Sequence, residues 1–372
     1  MTNGVEVTVV AAFPHYPYGI IPRKYRKKIF VVEHLSGIKV VRTFVPPLAS
    51  KGFINRLILF SSFIISSVIS LPLIGRVDAV FASNPQTLSI FPAVLFGITW
   101  RSPIALNVDD LWPESLYDLG MLTSSFFKKI SEFIALIAYS VADVIIPISP
   151  AYIDTLLTKY RIRKDKIKVV LGGVDLAFFN KYFSSQSKNF IVLYVGAFSP
   201  AYNFDQVLYA AKILENENVK FILRGGGEMA SSIRKKILKL NLNNVDLIEK
   251  VVSREKVAEY MMRADALILP LSGLENVEKG ISSKLYEYQA AKKPIICCSS
   301  GQPGRYILKT KSGIVIKPGD YEKLAQSIIF LKENPLNAQE LGESGRQYVE
   351  KNVSIELIGL EMKNIFIKIS KN

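Results

Sequence analysis

Short apolar runs alternate along the chain with longer segments in which apolar and polar residues mix. Examples are Asp78-Ala-Val-Phe-Ala and Asp143-Val-Ile-Ile-Pro-Ile in the first half, and Ile191-Val-Leu-Tyr-Val and Ala266-Leu-Ile-Leu in the second. Strands that are buried on both faces of a parallel sheet have such continuous apolar sequences, and the segments between them are long enough for helices. The pattern therefore predicts an α/β protein with parallel sheets.

The alternation stops at a polar segment, 181–189, and then starts again. A chain of 372 residues is also too long for one ordinary α/β unit. We therefore expect two α/β domains, 1–175 and 190–352, with a hinge over 175–189. The last stretch, 353–372, is predicted to be an amphipathic helix that packs back toward the first domain.

The stretch from Leu57 to Ile74 carries no charge and reaches the length of about 18 residues at which a membrane span is considered. Pro72 lies near its end, and Ser62, Ser66 and Ser70 recur every four residues, which forms a small polar stripe on a helix. We interpret this stretch as a buried or surface-lying helix. A membrane span is the alternative.

Charge and rare residues narrow the classes of function. The net charge of +15 and the pI of about 9.5 favour anionic partners. The two cysteines, Cys297 and Cys298, are adjacent, and there are only two histidines, so neither a disulfide framework nor a zinc site is expected. We expect no metal and no cofactor.

Basic clusters occur over 23–28, 159–168 and 234–236, but no nucleic-acid-binding motif accompanies them, so no nucleic-acid partner is expected.

The segment that begins at Glu278 is the most informative for chemistry. Gly280, Ile281, Ser282 and Ser283 precede a predicted helix, whose free N–H groups and dipole suit a diphosphate. Lys284 adds a positive charge, and Glu287 lies one turn further on the same face, where a carboxylate can accept hydrogen bonds from ribose hydroxyls. An ordinary capped helix with a surface Lys and Glu pair is the simpler alternative.

Two motifs carry a resemblance to a known family. Gly280-Ile-Ser-Ser-Lys-Leu-Tyr-Glu-Tyr resembles the donor-site signature of glycosyltransferase family 4, in the branch that acts on amino sugars of cell-surface polysaccharides. Asp109-Asp-Leu-Trp-Pro-Glu-Ser in the first half is similar to a motif of the same branch. Further matches follow in the same order, at Ala142-Asp-Val-Ile-Ile-Pro, Gly173-Val-Asp and Tyr194-Val-Gly-Ala. The similarity covers nearly the whole chain.

The resemblance implies a GT-B fold, in which two Rossmann-like domains face a cleft and no divalent metal is used. Gly280 to Lys284 would hold the diphosphate and Glu287 the ribose. Further donor-binding residues implied by position are Gly196, Arg224 and Gly226, with backbone groups of Glu249 and Lys250 near the base. Glu278 adjoins Lys279, which stands where the family has its first glutamate, so a sugar contact by Glu278 stays open.

Two carboxylates of the first-half motif are candidate catalytic residues. Asp110 occupies the family motif and would contact the donor sugar or orient the acceptor hydroxyl, and Glu114 is the other candidate. The alternative for Asp110 is a helix cap or turn residue ahead of Pro113.

Relatives open with a strand, a glycine loop and a helix before the segment that resembles Gly4-Val-Glu-Val-Thr-Val. Compared with these relatives, the first domain lacks its first strand and helix. Either the true start lies upstream of Met1, or the protein lacks this strand and with it part of the acceptor loop.

The resemblance predicts a retaining glycosyltransferase in polysaccharide biosynthesis of the cell envelope. Its donor would be a nucleotide-linked hexose or N-acetylhexosamine, as a UDP derivative, and its acceptor a lipid-linked molecule or a glycan. We expect a cytoplasmic protein that docks peripherally on the anionic inner face of the cell membrane. Two alternatives are a nucleotide-sugar epimerase of the same architecture and a non-catalytic partner subunit.

Overall fold

The computed structural model describes residues 4–15, 19–49, 53–84, 89–120, 122–180, 187–250 and 252–371. Its strands form two three-stranded sheets in the first half and one six-stranded sheet in the second. The predicted α/β class with parallel sheets is confirmed.

The two sheets of the first half differ in direction. Strand β1 (Thr8–Ala12) is parallel to β3 (Ile38–Thr43), whose other edge pairs with the antiparallel β2 (Phe30–Leu35). The second sheet is entirely parallel, in the order β4 (Val80–Asn84), β5 (Ile104–Val108), β6 (Val144–Pro147). Among the described residues no strand pairs β1 with β4. Side chains of both sheets nevertheless share one hydrophobic cluster, which holds Val41 together with Val80 and Leu106.

Helices cover the first-half sheets, and their bounds are α1 (Phe53–Ile69), α2 (Leu71–Ile74), α3 (Ile90–Trp100), α4 (Glu114–Asp118), α5 (Ser125–Val141) and α6 (Tyr152–Thr158). The apolar stretch noted in the sequence forms α1 and α2, which meet at Ser70 just before Pro72. Ser66 and Ser70 are buried, and each hydroxyl donates to a backbone carbonyl. Within the described ranges no helix has both the length and the apolar character needed to cross a bilayer.

The second half contains a parallel sheet in the order β12-β11-β10-β7-β8-β9. Its strands are β7 (Phe190–Ala197), β8 (Val219–Gly226), β9 (Val245–Ile248), β10 (Ala266–Pro270), β11 (Ile295–Cys298) and β12 (Gly313–Ile316). The chain moves outward from β7 to β9 and then returns to the other side of β7 with β10. The gap between the ends of β7 and β10 is therefore the switch point, where open sheets of this kind bind ligands.

Helices pack on both faces of this sheet, with the bounds α7 (Phe204–Ile213), α8 (Ala230–Leu240), α9 (Arg254–Arg263), α10 (Ser283–Ala290), α11 (Gln302–Thr310), α12 (Tyr321–Glu333) and α13 (Pro335–Asn352). Strands β10 and β11 are fully buried, which accounts for their uninterrupted apolar sequences.

The last helix, α14 (Ile355–Ser370), returns to the first half. Its residues Ile358, Met362 and Phe366 pack against a cluster that contains Ala105 and Val144 of the parallel sheet. The chain segment between the halves is tied to the start of this helix, because the Val174 N–H donates to Val353 O and Val174 O accepts from the Ile355 N–H, each at 3.0 Å.

Candidate active site

A cleft of about 1240 Å³ lies between the two halves and is lined by both. The first half contributes Asp110 and Tyr152, and the second contributes Tyr202 and the segment Gly280 to Ser283. The two motifs that were singled out in the sequence therefore face the same space. Sequence spacing alone does not bring them together, since they lie far apart in the chain.

Hydrogen bonds between the two halves hold the motif segments together beside the cleft. The Asn276 N–H donates to Asp118 Oδ2 at 2.6 Å, and Ser149 Oγ donates to Lys279 O at 2.5 Å. The Tyr152 hydroxyl donates to the carbonyl of Asp109 at 3.2 Å, and a Cβ atom at Gly280 would lie 2.8 Å from the same hydroxyl. The close packing of the Tyr152 hydroxyl therefore favours glycine at position 280, whether or not this residue contacts a ligand.

Helix α10 presents its N-terminus to the cleft. Ser282 is the N-cap residue in extended backbone conformation, and its hydroxyl makes no capping hydrogen bond. The helix is fixed from behind, since Gln289 Nε2 donates to Thr310 Oγ1 and to Ser312 Oγ, both at 2.9 Å. The Leu285 N–H donates to Ser282 O at 3.0 Å. The N–H groups of Ser283 and Lys284 come before the first acceptor of the helix, so they and the helix dipole favour a negatively charged ligand here.

Lys284 extends from this first turn toward the carboxyl end of β7. Its Nζ donates to the Tyr202 hydroxyl at 2.9 Å and lies 5.0 Å from the centre of that ring. A Cβ atom at Gly196 would lie 2.2 Å from Lys284 Cε, so the lysine side chain occupies space that the glycine leaves open. Gly196 also has φ +146°, a conformation that favours glycine. The geometry thus links Lys284 to Gly196, two residues that the sequence analysis named separately.

The ends of β7 and β8 approach each other closely at their glycines. Gly225 has φ +156°, and a Cβ atom there would lie 1.7 Å from Gly196 O. By contrast, nothing lies within 4 Å of a Cβ atom built at Gly226. The strand ends therefore require Gly196 and Gly225, while Gly226 is not required by its surroundings.

Arg224, the residue before these glycines, is buried with an exposed fraction of 8%. The centre of its guanidinium lies 3.9 Å from the centre of the Tyr260 ring on α9. Its Nε and Nη1 atoms are buried without a hydrogen-bond partner among the residues that the structure describes. A buried donor without an acceptor costs free energy, so this side chain is suited to an acceptor supplied by a ligand.

Glu287 lies one turn beyond Lys284 on α10, with about a third of its side chain exposed. Its Oε1 atom is 3.7 Å from Arg254 Nη2 of α9. Burial raises the pKa of the Glu287 carboxyl, and the charges of Arg254 and Lys284 act in the opposite direction. The carboxylate is thus partly desolvated and can accept hydrogen bonds from a ligand.

Asp109 and Asp110 follow β5 directly. Asp109 is held from its own sheet, because its carboxylate accepts hydrogen bonds from Asn107 Nδ2 at 2.8 Å and from Ser83 Oγ at 3.0 Å. Burial raises the pKa of Asp110, and the neighbouring charge of Asp109 raises it further. Asp110 therefore has the partly desolvated carboxylate that suits a role in proton handling or in contact with developing positive charge.

Glu114, the second candidate catalytic residue, does not line the cleft. Its side chain is buried, and Oε1 accepts a hydrogen bond from the Tyr160 hydroxyl at 2.7 Å and pairs with Lys159 Nζ at 2.7 Å. The structure thus separates the two carboxylates of the motif, which sequence spacing alone does not do. Of the two candidates Asp110 lines the cleft, together with its neighbour Asp109.

We expect Glu114→Ala to lower the free energy of unfolding by about 2 kcal/mol, because the buried Tyr160 hydroxyl loses its acceptor and Lys159 loses a partner. Urea denaturation measures this loss. Glu132→Ala is the matched control, since it removes the exposed partner of the same Lys159 and should cost less than about 1 kcal/mol. A Glu114 variant of unchanged stability that no longer transfers sugar would instead support the catalytic assignment.

Glu278 is also buried, with an exposed fraction of 8%. Its Oε2 atom accepts a hydrogen bond from the Gly301 N–H at 2.7 Å and one from the Ser299 hydroxyl. Gly301 precedes α11, so the carboxylate caps the start of that helix. One oxygen of Glu278 is therefore committed to the fold, while the other, Oε1, is buried without a hydrogen-bond partner among the described residues.

Some cleft residues were missed in the sequence. His15 after β1, Tyr152 at the start of α6 and Tyr202 after β7 all line the cleft. All three follow predicted strands in the sequence, and open sheets bind ligands at such positions.

Glu249, which the resemblance places near a base, forms an ion pair with Arg234 of α8. In the described part of the chain no group of three His, Cys, Asp or Glu side chains is arranged to hold a metal ion.

The sequence of the second half matches a known protein family. Residues 178–348 match the family described as Glycosyl transferases group 1. The chain is 24% identical over 246 residues to the capsular polysaccharide biosynthesis glycosyltransferase CapM of Staphylococcus aureus. The aligned region covers 62% of this chain and 63% of CapM. For the first curated relatives, the match spans between 40% and 63% of their length.

Solved structures extend the likeness to both halves. Sucrose-phosphate synthase from Thermosynechococcus elongatus superposes with a TM-score of 0.77 at 17% identity, over 99% of this chain and 90% of that one. HepE from Anabaena in complex with UDP superposes with a TM-score of 0.69 at 13% identity, over 97% of this chain and 100% of that one. The predicted GT-B fold is confirmed. The chain thus has the GT-B fold, and its residues 178–348 are similar to the group 1 glycosyl transferases.

Proposed function

We propose that this protein transfers a sugar from a nucleoside diphosphate to an acceptor with retention of the anomeric configuration. The observation that carries the proposal is the shared cleft, in which Asp110 of the first half faces the N-terminus of α10 in the second. Residues 1–175 would present the acceptor and residues 190–352 would hold the donor. Residues 353–372 would join the two.

The proposed division of roles follows from charge and position. The N–H groups at the start of α10 and the ammonium of Lys284 stabilise the diphosphate as it leaves. Glu287 accepts hydrogen bonds from the ribose hydroxyls, and Arg224 donates to the nucleotide through its two buried donors. Asp110 contacts the sugar or orients the acceptor hydroxyl. All of these groups are present in the chain itself, so no metal enters the proposed mechanism.

For the donor we propose a UDP derivative of a hexose or N-acetylhexosamine. HepE, which shares the fold over 97% of this chain, was solved in complex with UDP. CapM acts in capsular polysaccharide biosynthesis, which supports a role in making a cell-envelope polysaccharide.

For the acceptor we propose a lipid-linked molecule or a glycan, used at the inner face of the cell membrane. The first-half wall of the cleft is largely apolar, with Leu57, Phe60 and Phe63 from α1 and Leu116 and Leu119 beyond β5. An apolar wall suits a hydrocarbon chain better than a fully hydroxylated sugar. The net charge of +15 favours an anionic membrane surface.

Calorimetric titration with UDP and GDP tests the donor site. We expect the wild-type chain to bind UDP selectively and Glu287→Ala to bind it roughly 10- to 100-fold more weakly, since hydrogen bonds to a charged group are worth about 1.5–3 kcal/mol. Glu343→Ala is the matched control, because Glu343 is paired with Lys292 on the surface. Equal affinity of wild type and Glu287→Ala would contradict the site, and failure to bind either nucleotide would favour a non-catalytic protein.

A further inference from the structure

Helix α5 is apolar on two sides, but only one side packs on the protein. Ser131, Ala135, Ala138 and Tyr139 are buried against the first-half sheet. Phe126 and Phe133 are nevertheless 68% and 63% exposed. A helix that is apolar all round is normally buried on all sides, so the second face of α5 lacks a partner in this chain.

The exposed residues of α5 form one continuous surface. Phe126, Ile130 and Phe133 are spaced by four and three residues, which places them on one face of the helix. Phe127 and Leu136, 42% and 40% exposed, widen this face on either side. We call these five residues the α5 face. Isolated exposed apolar residues are common, but a row of three phenylalanines with two aliphatic residues is not.

The α5 face is continuous with the cleft. Phe127 and Ile130 belong to the face and also line the cleft, where Ile134 of the same helix joins them. Helix α1 supplies further apolar lining residues of the cleft, and its Ile65 and Ile69 are 61% and 53% exposed. The apolar wall of the candidate active site therefore reaches the outer surface of the protein.

The charges beside this surface are basic. Lys128 and Lys129 follow Phe126 and Phe127 directly near the start of α5. Glu132, the acidic residue of the helix, is paired with Lys159. Exposed aromatic residues flanked by lysines, in a chain of net charge +15, match an interface of acyl chains below anionic headgroups.

We propose that the α5 face inserts into the surface of an anionic phospholipid bilayer, so that the apolar wall of the cleft opens directly onto the lipid. A lipid-linked acceptor then enters the cleft without passing its hydrocarbon chain through water. The last step rests on the proposed function, whereas docking itself depends only on the α5 face and its charges. A second copy of this chain would cover the face equally well by apolar contact, but it would bring a like positive charge.

Co-sedimentation of the full chain with vesicles tests the proposal. We expect binding to vesicles of phosphatidylcholine mixed with phosphatidylglycerol, and weaker binding to phosphatidylcholine alone. The double variant Phe126→Ser/Phe133→Ser should lose at least tenfold in partitioning, because two inserted aromatic rings are removed. Lys129→Glu should lose about tenfold on the anionic vesicles only. The matched control is Leu308→Ser/Phe330→Ser, which changes residues 62% and 43% exposed in the second half and should bind like wild type.

Two further measurements separate the possible outcomes. Sedimentation velocity of wild type and the double phenylalanine variant reports self-association, and a dimer that only the wild type forms would overturn the proposal in favour of a second copy. Undiminished vesicle binding by the phenylalanine variant, or no binding by the wild type, would also overturn it. UDP titration of the same preparations keeps the two proposals apart, since vesicle binding without UDP binding leaves the docking surface standing and removes the proposed function.

Discussion

Lys284→Ala is expected to weaken binding of UDP by roughly 10- to 100-fold and to lower sugar transfer by about 10²- to 10³-fold. The ammonium is held beside the Tyr202 hydroxyl, and its stem lies in the space that Gly196 leaves open. A charge-assisted hydrogen bond to the diphosphate is worth about 1.5–3 kcal/mol in binding. Its contribution grows as the diphosphate leaves, because negative charge then accumulates on the leaving group.

Titration with UDP, UMP and uridine measures this effect. The loss should be largest for UDP, smaller for UMP and absent for uridine, since only the phosphates contact the ammonium. Lys279→Ala is the matched control. It removes one positive charge from the same segment, but that lysine forms an i,i+4 ion pair with Glu275. A uniform loss for all three compounds would indicate a distorted site, and no loss for UDP would remove Lys284 from the diphosphate site.

Asp110→Asn is expected to lower sugar transfer by about 10²- to 10⁴-fold while UDP affinity stays within about twofold. Asp110 lies on the first-half side of the cleft. In the proposed mechanism it acts on the reacting groups, so its loss should leave the nucleotide contacts of the second half in place. Incorporation of labelled sugar from UDP-glucose or UDP-N-acetylglucosamine into an extracted lipid fraction measures transfer. Asp154→Asn, on the exposed side of α6 in the same half, is the control.

The outcome that would contradict the assignment is an Asp110→Asn variant with wild-type transfer. A variant that loses UDP binding as well would show that Asp110 supports the cleft and does not act on the reacting groups. Conversion of the free nucleotide sugar by the wild type in the absence of acceptor would favour the epimerase alternative.

The pH dependence of transfer provides an independent check on Asp110. The role requires the ionised carboxylate, so transfer should fall as the pH falls through its pKa. Burial and the charge of Asp109 raise that pKa above the ordinary aspartate value of about 3.9, so the acid limb of the profile should lie above the range of an exposed aspartate. Asp110→Asn should remove the limb, because the variant side chain does not titrate. An identical acid limb in the variant would assign it to another group.

Much of the fold was accessible from the order of apolar runs. Strands β10 and β11 are buried along their whole length, so each is an uninterrupted apolar run. The start of α10 was equally accessible, because Ser282 and Ser283 after Gly280 are a local signal for a helix N-terminus. Signals of this kind depend on neighbours in the chain, and sequence records neighbours directly.

Glu114 and Glu278 illustrate what could not be predicted. Both stand beside recognised motifs, and spacing alone gave each a possible role toward a substrate. In the structure Glu114 is bound to Tyr160 and Lys159, and Glu278 caps α11 through Gly301. Their partners are distant in the chain, so no local pattern separates a buried structural carboxylate from one that faces a cleft.

The sequence by itself determined the α/β class with parallel sheets, the helix start shortly after Gly280 and the acidic motif at Asp109. Only the tertiary structure decided that Asp110 and α10 share a cleft, that Gly196 makes room for Lys284, and that one face of α5 is left exposed. The physical reason is the range of the interactions concerned. Strands and helices form according to side chains that are close neighbours in the chain. The cleft and its surface arise from packing between elements that are distant in the chain.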